Sequence, residues 1–209
     1  MVWRGCPRSL PWREPNAAGP NVVLLVNADG TGETRLARGN TPSWSPDGKS
    51  LVYQGPGGIY VIGSDGSRRR TLTRKGGAPD WSPDGREIVF EYNDGRRVSL
   101  HVINSDGTGE RLLVRGPAWR PKWSPAGDAI SYDNWDGGWV LNLRSRHVHR
   151  LEISGYHGSL AWSPDGRQIV WPQQAKWPNF DLWVMNRDGS ARHRLARTPL
   201  EEDSPDWSP

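Results

Sequence analysis

A five-residue signature recurs along this 209-residue chain and limits its fold more than any other feature. It reads Trp44-Ser45-Pro46-Asp47-Gly48, Trp81-Ser82-Pro83-Asp84-Gly85, Trp123-Ser124-Pro125-Ala126-Gly127 and Trp162-Ser163-Pro164-Asp165-Gly166, with a final partial copy, Trp207-Ser208-Pro209. Successive tryptophans are 37, 42, 39 and 45 residues apart. That spacing suits a four-stranded blade and is too irregular for a tightly stacked solenoid.

Each full signature carries the chemistry of a reverse turn, with Pro second, Asp third in all but the third copy, which has Ala126, and Gly fourth. A β-rich run follows it, as Leu51-Val52-Tyr53, Ile88-Val89-Phe90 or Ile169-Val170-Trp171. A third strand comes next, as Ile59-Tyr60-Val61-Ile62 or Leu182-Trp183-Val184-Met185. A second tight turn follows at Asp29-Gly30, Asp65-Gly66, Asp106-Gly107 and Asp188-Gly189. The outer strand then sets arginines around one leucine: Leu36, Leu72, Leu113, Leu151 or Leu195. Charge on an exposed edge strand is the ordinary protection against edge-to-edge aggregation.

The expected fold is therefore all-β, a β-propeller of four-stranded antiparallel blades at 44–80, 81–122, 123–161 and 162–204. Met1-Val2-Trp3-Arg4 aligns with Ile169-Val170-Trp171-Pro172, and residues 205–209 supply a first strand. Residues 1–43 and 205–209 are thus expected to share one composite blade, giving a five-bladed ring in a single domain over 1–209. A fragment of a larger propeller is the alternative.

Composition agrees with many short strands: 25 Gly, 18 Pro and 13 Trp supply turns and rigid rings but few aliphatic runs. The net charge of +4 is scattered without a basic block, so nucleic acid is not an expected partner. Cys6 alone forms neither an internal disulfide nor a metal cluster. No segment has the length of a membrane span, and Met1 to Pro20 lacks the apolar run of an export signal.

The signature, the alternating strand after it, and a run such as Leu100-His101-Val102-Ile103-Asn104-Ser105-Asp106-Gly107-Thr108 resemble the WD40-like propeller repeat of the TolB family. Similar repeats occur in propellers of prolyl-oligopeptidase-like peptidases and of oligogalacturonate lyases. The TolB resemblance implies a non-enzymatic, extracytoplasmic protein, periplasmic or secreted, that holds proteins or peptides on a propeller face or in its channel. A peptidase's propeller portion, or a metal-dependent polysaccharide lyase, is the alternative.

Because strands alternate in direction, both Asp-Gly turns of a blade fall at one end, and the variable loops fall at the other. Trp12, Trp119, Trp135, Trp177 and Phe180 are read as loop residues outside the repeated strand positions. Arg74, Lys75, Arg96, Arg97, Arg120 and Lys122 lie near them in sequence, with Asp133, Asp136, Glu201, Glu202 and Asp203 as acidic counterparts. His157, beside Tyr156, is the best-placed histidine. The candidate partner-binding set is thus Trp12, Trp119, Arg120, Trp135, Asp136, Tyr156, His157, Trp177 and Phe180. Large rings and mixed charge suit a protein or peptide, against a purely structural role as rim plugs.

Catalytic constellations are thin. There is no Gly-x-Ser-x-Gly elbow and no phosphate loop. His147 and His149 share one side of a strand without a third ligand. Ala126 breaks the aspartate repeat that a calcium site would need. No catalytic residue, metal or cofactor is expected, and the chain is expected to be a monomer.

Overall fold

The computed structural model describes residues 21–153, 159–176 and 179–196. They fall in two compact units, 1–113 and 114–209. In the first unit, β1 (Val22–Leu25) and β2 (Thr34–Arg38) form a two-stranded antiparallel sheet. A four-stranded sheet follows, β3 (Asn40–Trp44), β4 (Ser50–Gly55), β5 (Gly58–Gly63) and β6 (Arg70–Thr73). The next is β7 (Gly77–Trp81), β8 (Glu87–Asn93), β9 (Val98–Asn104) and β10 (Arg111–Val114), which ends at the unit boundary.

The second unit repeats the pattern twice. One sheet is β11 (Trp119–Trp123), β12 (Ala129–Asn134), β13 (Gly137–Asn142) and β14 (Val148–Leu151). The other is β15 (Ala161–Trp162), β16 (Gln168–Lys176), β17 (Asn179–Asn186) and β18 (His193–Ala196). In every four-stranded sheet the spatial order follows chain order, the up-and-down meander of a propeller blade.

The blades begin a few residues earlier than the expected boundaries. The signature tryptophan closes the innermost strand instead of opening a blade, because Ser-Pro-Asp-Gly is the turn into the second strand. The composite blade expected from 1–43 and 205–209 falls largely on residues outside those described. Within 1–43 the described strands are β1 and β2, which pair only with each other among the described residues, and the start of β3.

The signature turn repeats one set of bonds. Ser45 N–H donates to Ser50 O at 2.8 Å, and Gly48 N–H donates to Ser45 O at 2.9 Å. Ser45 Oγ donates to Asp47 Oδ1 at 2.7 Å and accepts from Ser50 N–H at 2.9 Å. Asp47 Oδ1 also accepts Lys49 N–H at 3.0 Å. Gly48 takes φ 68°, where a side chain would be strained. Ser82 and Ser163 make the same bonds to Asp84 and Asp165, both at 2.6 Å. These hydroxyls are buried, so the aspartate satisfies a polar group that burial would otherwise penalise.

One backbone bond ties the two turns of each blade together. Ser64 N–H donates to Lys49 O, Ser105 N–H to Arg86 O, Leu143 N–H to Asp128 O and Arg187 N–H to Arg167 O, all at 2.7–2.9 Å. Both turns therefore lie at one end of the blade, leaving the strand 2 to 3 hairpins and the links between blades at the other.

The cores lie between consecutive blades within each unit. Val23 and Leu25 pack with Leu51, Tyr53 and Ile62, and Val52, Val61 and Leu72 pack with Ile88, Phe90 and Ile103. In the second unit Ala129, Val140 and Leu151 pack with Trp162, Ile169, Trp171 and Met185. Leu36 occupies the register shift between β1 and β2, Leu72 the one between β5 and β6, and both pack against the next blade. Leu195 occupies the same shift in the last sheet, yet is 57% exposed.

The innermost strands carry a second repeated irregularity. Thr41, Ala78 and Arg120, each followed by proline, take φ of 45°, 44° and 48°. The register to the second strand shifts at the same place in all three blades. At each bulge two residues of the innermost strand oppose one of the second, and the strand bends there while its first residue stays paired.

Candidate binding surface

On the variable-loop end of the third blade, two tryptophans meet. Trp119 opens β11, where it pairs across the ladder with Asp133. Trp135 sits at the tip of the β12–β13 hairpin, which Asn134 and Gly137 close as cross-strand partners. Asn134 Oδ1 accepts Asp136 N–H at 2.7 Å and holds the tip. The two rings stand edge to face, with centroids 4.6 Å apart and planes at 71°. Trp135 is 84% exposed, more than any other large hydrophobic side chain among the described residues.

Under this corner lies an ion pair. Arg120 Nε donates to Asp133 Oδ2 at 2.6 Å, and the Asp133 side chain is almost fully buried. A buried carboxylate needs such a partner to remain charged. Arg120 therefore anchors the floor of the corner, and its guanidinium is engaged within the blade. Arg150 reaches up from β14, its Nη2 donating to Asp136 O at 2.5 Å. The Asp136 residue is exposed.

The structure thus brings together four candidates from sequence: Trp119, Arg120, Trp135 and Asp136. Two details differ from expectation. Trp119 is a strand residue, although it lies at the strand's variable-loop end. Phe180 lies inside β17, is 5% exposed and pairs with Gln174, so its ring is core and is removed from the contact set. Its hairpin is longer than those of the other blades, which places in a strand a residue read as loop. Trp12, Tyr156, His157 and Trp177 lie outside the described residues.

Comparison among blades separates this corner from the scaffold. The position of Trp119 is Asn40 in the first four-stranded blade and Gly77 in the second. Both blades form without an aromatic there. Arg150 was not distinguishable in sequence, because every outer strand carries arginines.

A second set of contacts lies on the blade flanks, where one strand-3 residue faces one residue at the start of the outer strand. Arg69 lies 4.1 Å from the Tyr60 ring centroid and donates from Nε to Tyr53 Oη at 2.7 Å. Arg192 lies 4.7 Å from the Trp183 centroid. In the second blade the aromatic is replaced by His101 and the arginine by Glu110, with Nδ1 and Oε1 3.0 Å apart. The exchange preserves an attractive pair in both chemistries. These contacts join strands within one blade and read as scaffold.

Among the described residues no group of three or more His, Cys, Asp or Glu side chains converges as a metal site would require. Among the same residues no helix is long and apolar enough to cross a membrane. The turn aspartates are committed to their turns. Asp47, Asp84 and Asp165 are held below the usual carboxylate range, first by the serine hydroxyl and then by a backbone N–H.

No family model matches the chain. The Tol-Pal system protein TolB of Anaeromyxobacter dehalogenans is 30% identical over 102 residues, 47% of this chain and 22% of that protein. An uncharacterized protein of Agrobacterium fabrum, Atu1656, is 29% identical over 181 residues, 80% of this chain and 61% of that protein. The chain therefore spans less than two thirds of the length of these relatives. Among solved structures, TolB from Acinetobacter baumannii superposes with a TM-score of 0.74 at 19% identity, covering 87% of this chain and 50% of that one. A TolB candidate from Agrobacterium tumefaciens gives 0.75 at 20% identity, covering 87% and 72%. An oligogalacturonate lyase in complex with manganese gives 0.52 at 15% identity, covering 86% and 71%. The repeated blades, their turn chemistry and these likenesses agree: the chain is a TolB-like β-propeller.

Proposed function

We propose that the chain is a non-catalytic binding module that holds a protein or peptide on its variable-loop end, with Trp119 and Trp135 as the principal contact. The observation that carries this reading is the exposed edge-to-face pair at a position where other blades manage with Asn40 or Gly77. Exposed tryptophan contributes large, rigid contact area at low entropic cost and is enriched among residues that dominate interface energies. The Arg120–Asp133 pair beneath fixes the backbone from which both rings project. Relatives named as Tol-Pal system proteins support an extracytoplasmic setting and a protein partner.

The test is capture from an extract of the source organism's cell envelope by immobilised chain, with W119A/W135A as the comparison. A partner retained by the parent and lost by the variant supports the reading. A partner retained equally by both places the contact elsewhere. The lyase alternative is favoured only by the fold likeness to a manganese-bound lyase. Stoichiometric manganese in the purified protein, with cleavage of oligogalacturonate, would establish it.

A further inference from the structure

Nine Asp-Gly pairs occur in the chain, all within the described residues. Eight of them hold the aspartate in one way, by a bond from its carboxylate to the backbone N–H two residues on. Asp29, Asp65, Asp106 and Asp188 accept that N–H on Oδ1 at 2.8–2.9 Å. Asp47, Asp84 and Asp165 accept it at 3.0 Å, and Asp94 accepts Arg96 N–H at 2.7 Å and Arg97 N–H at 2.8 Å. All eight carboxyls are held below the usual carboxylate range, at Asp94 first by the Arg97 N–H and at the others first by a neighbouring serine or threonine hydroxyl. Bonds of this kind favour the ionised form.

The ninth pair, Asp136-Gly137, is held differently. The Asp136 residue is exposed, and its carboxylate accepts no hydrogen bond and joins no ion pair among the described residues. Arg150 binds its main-chain carbonyl instead. The hairpin gives the reason. Asn134 takes the N–H two residues on, which is that of Asp136 itself. The residue two beyond Asp136 is Gly138, already paired in the sheet with Asp133 and with Leu151. In the β8–β9 hairpin the closing residues are Asn93 and Val98, and this longer loop supplies an N–H group to Asn93 as well as to Asp94.

A free Asp-Gly carboxyl has one reaction open to it that a tethered carboxylate resists. The glycine nitrogen, unshielded by any Cβ on its own residue, attacks the aspartate Cγ. An N–Cγ bond forms, a Cγ–O bond breaks, and the carboxyl oxygen leaves as water with the amide proton, giving a cyclic imide. Water then adds to either imide carbonyl. Opening on one side returns aspartate. Opening on the other breaks the original peptide bond and leaves the main chain running through Cβ and Cγ, which is isoaspartate. One water is lost and one regained, and no oxidant, reductant or cofactor enters. The attack is internal to the chain, so burial of Gly137 does not prevent it.

We propose that Asp136-Gly137 is a site of spontaneous isoaspartate formation, selected from nine Asp-Gly pairs because its carboxyl alone is untethered. The product lengthens the main chain by one methylene at the hairpin tip that carries Trp135. Conversion should therefore shift Trp135 away from Trp119, a consequence that deepens the proposed binding role and rests on it, whereas the modification itself does not.

The test is ageing of the purified, folded chain at mildly acidic and at neutral pH, below its unfolding transition, followed by peptide mapping. Isoaspartate leaves the peptide mass unchanged, shifts its elution and blocks cleavage by an aspartate-specific endoproteinase. It is expected to accumulate at Asp136 severalfold faster than at any of the other eight pairs. D136E, which alters an exposed side chain without a partner, should lose the signal and keep the parent's thermal transition. In urea, where the tethers are gone, the nine pairs should react at similar rates. Equal or faster conversion of another Asp-Gly pair in the folded chain would overturn the proposal, as would the same preference for Asp136 in urea. Partner capture by aged chain is read separately: isoaspartate at Asp136 with capture undiminished would sustain the modification and count against the tryptophan corner as the contact.

Discussion

Ser124 Oγ donates a hydrogen bond to Asp128 Oδ1 at 2.8 Å, whereas Ser45, Ser82 and Ser163 each donate to an aspartate two residues on. The third blade has Ala126 at that position, and a carboxylate four residues on takes over its task. Asp128 also receives Arg187 Nη1 from the next blade at 3.1 Å, so one residue closes a turn and staples two blades. The blade thus loses the motif's aspartate without losing the bond that the motif exists to make.

This substitution is testable by exchange. Asp128→Ala should destabilise the chain by about 1–2 kcal/mol, because the buried Ser124 hydroxyl loses its acceptor. Ala126→Asp in the same background should restore part of the loss by rebuilding the ordinary turn, but should not replace the bond to Arg187. Urea denaturation of the parent, the single and the double variant measures both steps. Equal stability of all three would show that the hydroxyl is satisfied in another way.

Acid sensitivity follows from the same turns. In the folded state Asp47, Asp84 and Asp165 have lowered pKa values, caused first by the serine hydroxyls and then by backbone N–H groups. A folded pKa below the unfolded value means that the ionised carboxylate stabilises the fold. That stability is fully present above the unfolded value, about 3.9 for Asp, and is lost as pH falls through the folded value. Urea midpoints should therefore fall on acidification below about pH 4–5, and Ser45→Ala, which removes the largest cause at Asp47, should reduce the dependence.

Two glycines should separate steric from conformational cost. A Cβ on Gly76 (φ 100°) would lie 2.2 Å from the Glu91 carbonyl oxygen, whereas one on Gly95 (φ 87°) meets nothing within 4 Å. Gly95→Ala should cost about 1–2 kcal/mol for its positive φ alone. Gly76→Ala should cost clearly more, because backbone must move, and thermal unfolding of the two variants side by side reads the difference.

Tryptophans divide the same way. Trp171 is fully buried in the core between the last two blades and Trp135 is 84% exposed. Trp171→Ala should cost about 3–5 kcal/mol, while Trp135→Ala should stay within about 0.5 kcal/mol. A large stability loss in Trp135→Ala would mark that ring as structural and remove it from the binding surface.

The repeated signature determined the blade by itself, since turn and strand propensities act over a few residues and recur in register. It also placed the Asp-Gly turns at one end and the variable loops at the other, because antiparallel strands leave no other arrangement. Blade boundaries were less legible: the tryptophan marks the end of an innermost strand whose own residues, Asn40–Trp44 or Gly77–Trp81, alternate weakly and carry a bulge before proline. Trp119 and Trp135 stood out because they broke the repeat. Their meeting at 4.6 Å, the Arg120–Asp133 pair beneath them and the burial of Phe180 did not. Those relations join residues on different strands, and strand register, hairpin length and packing between blades decide them.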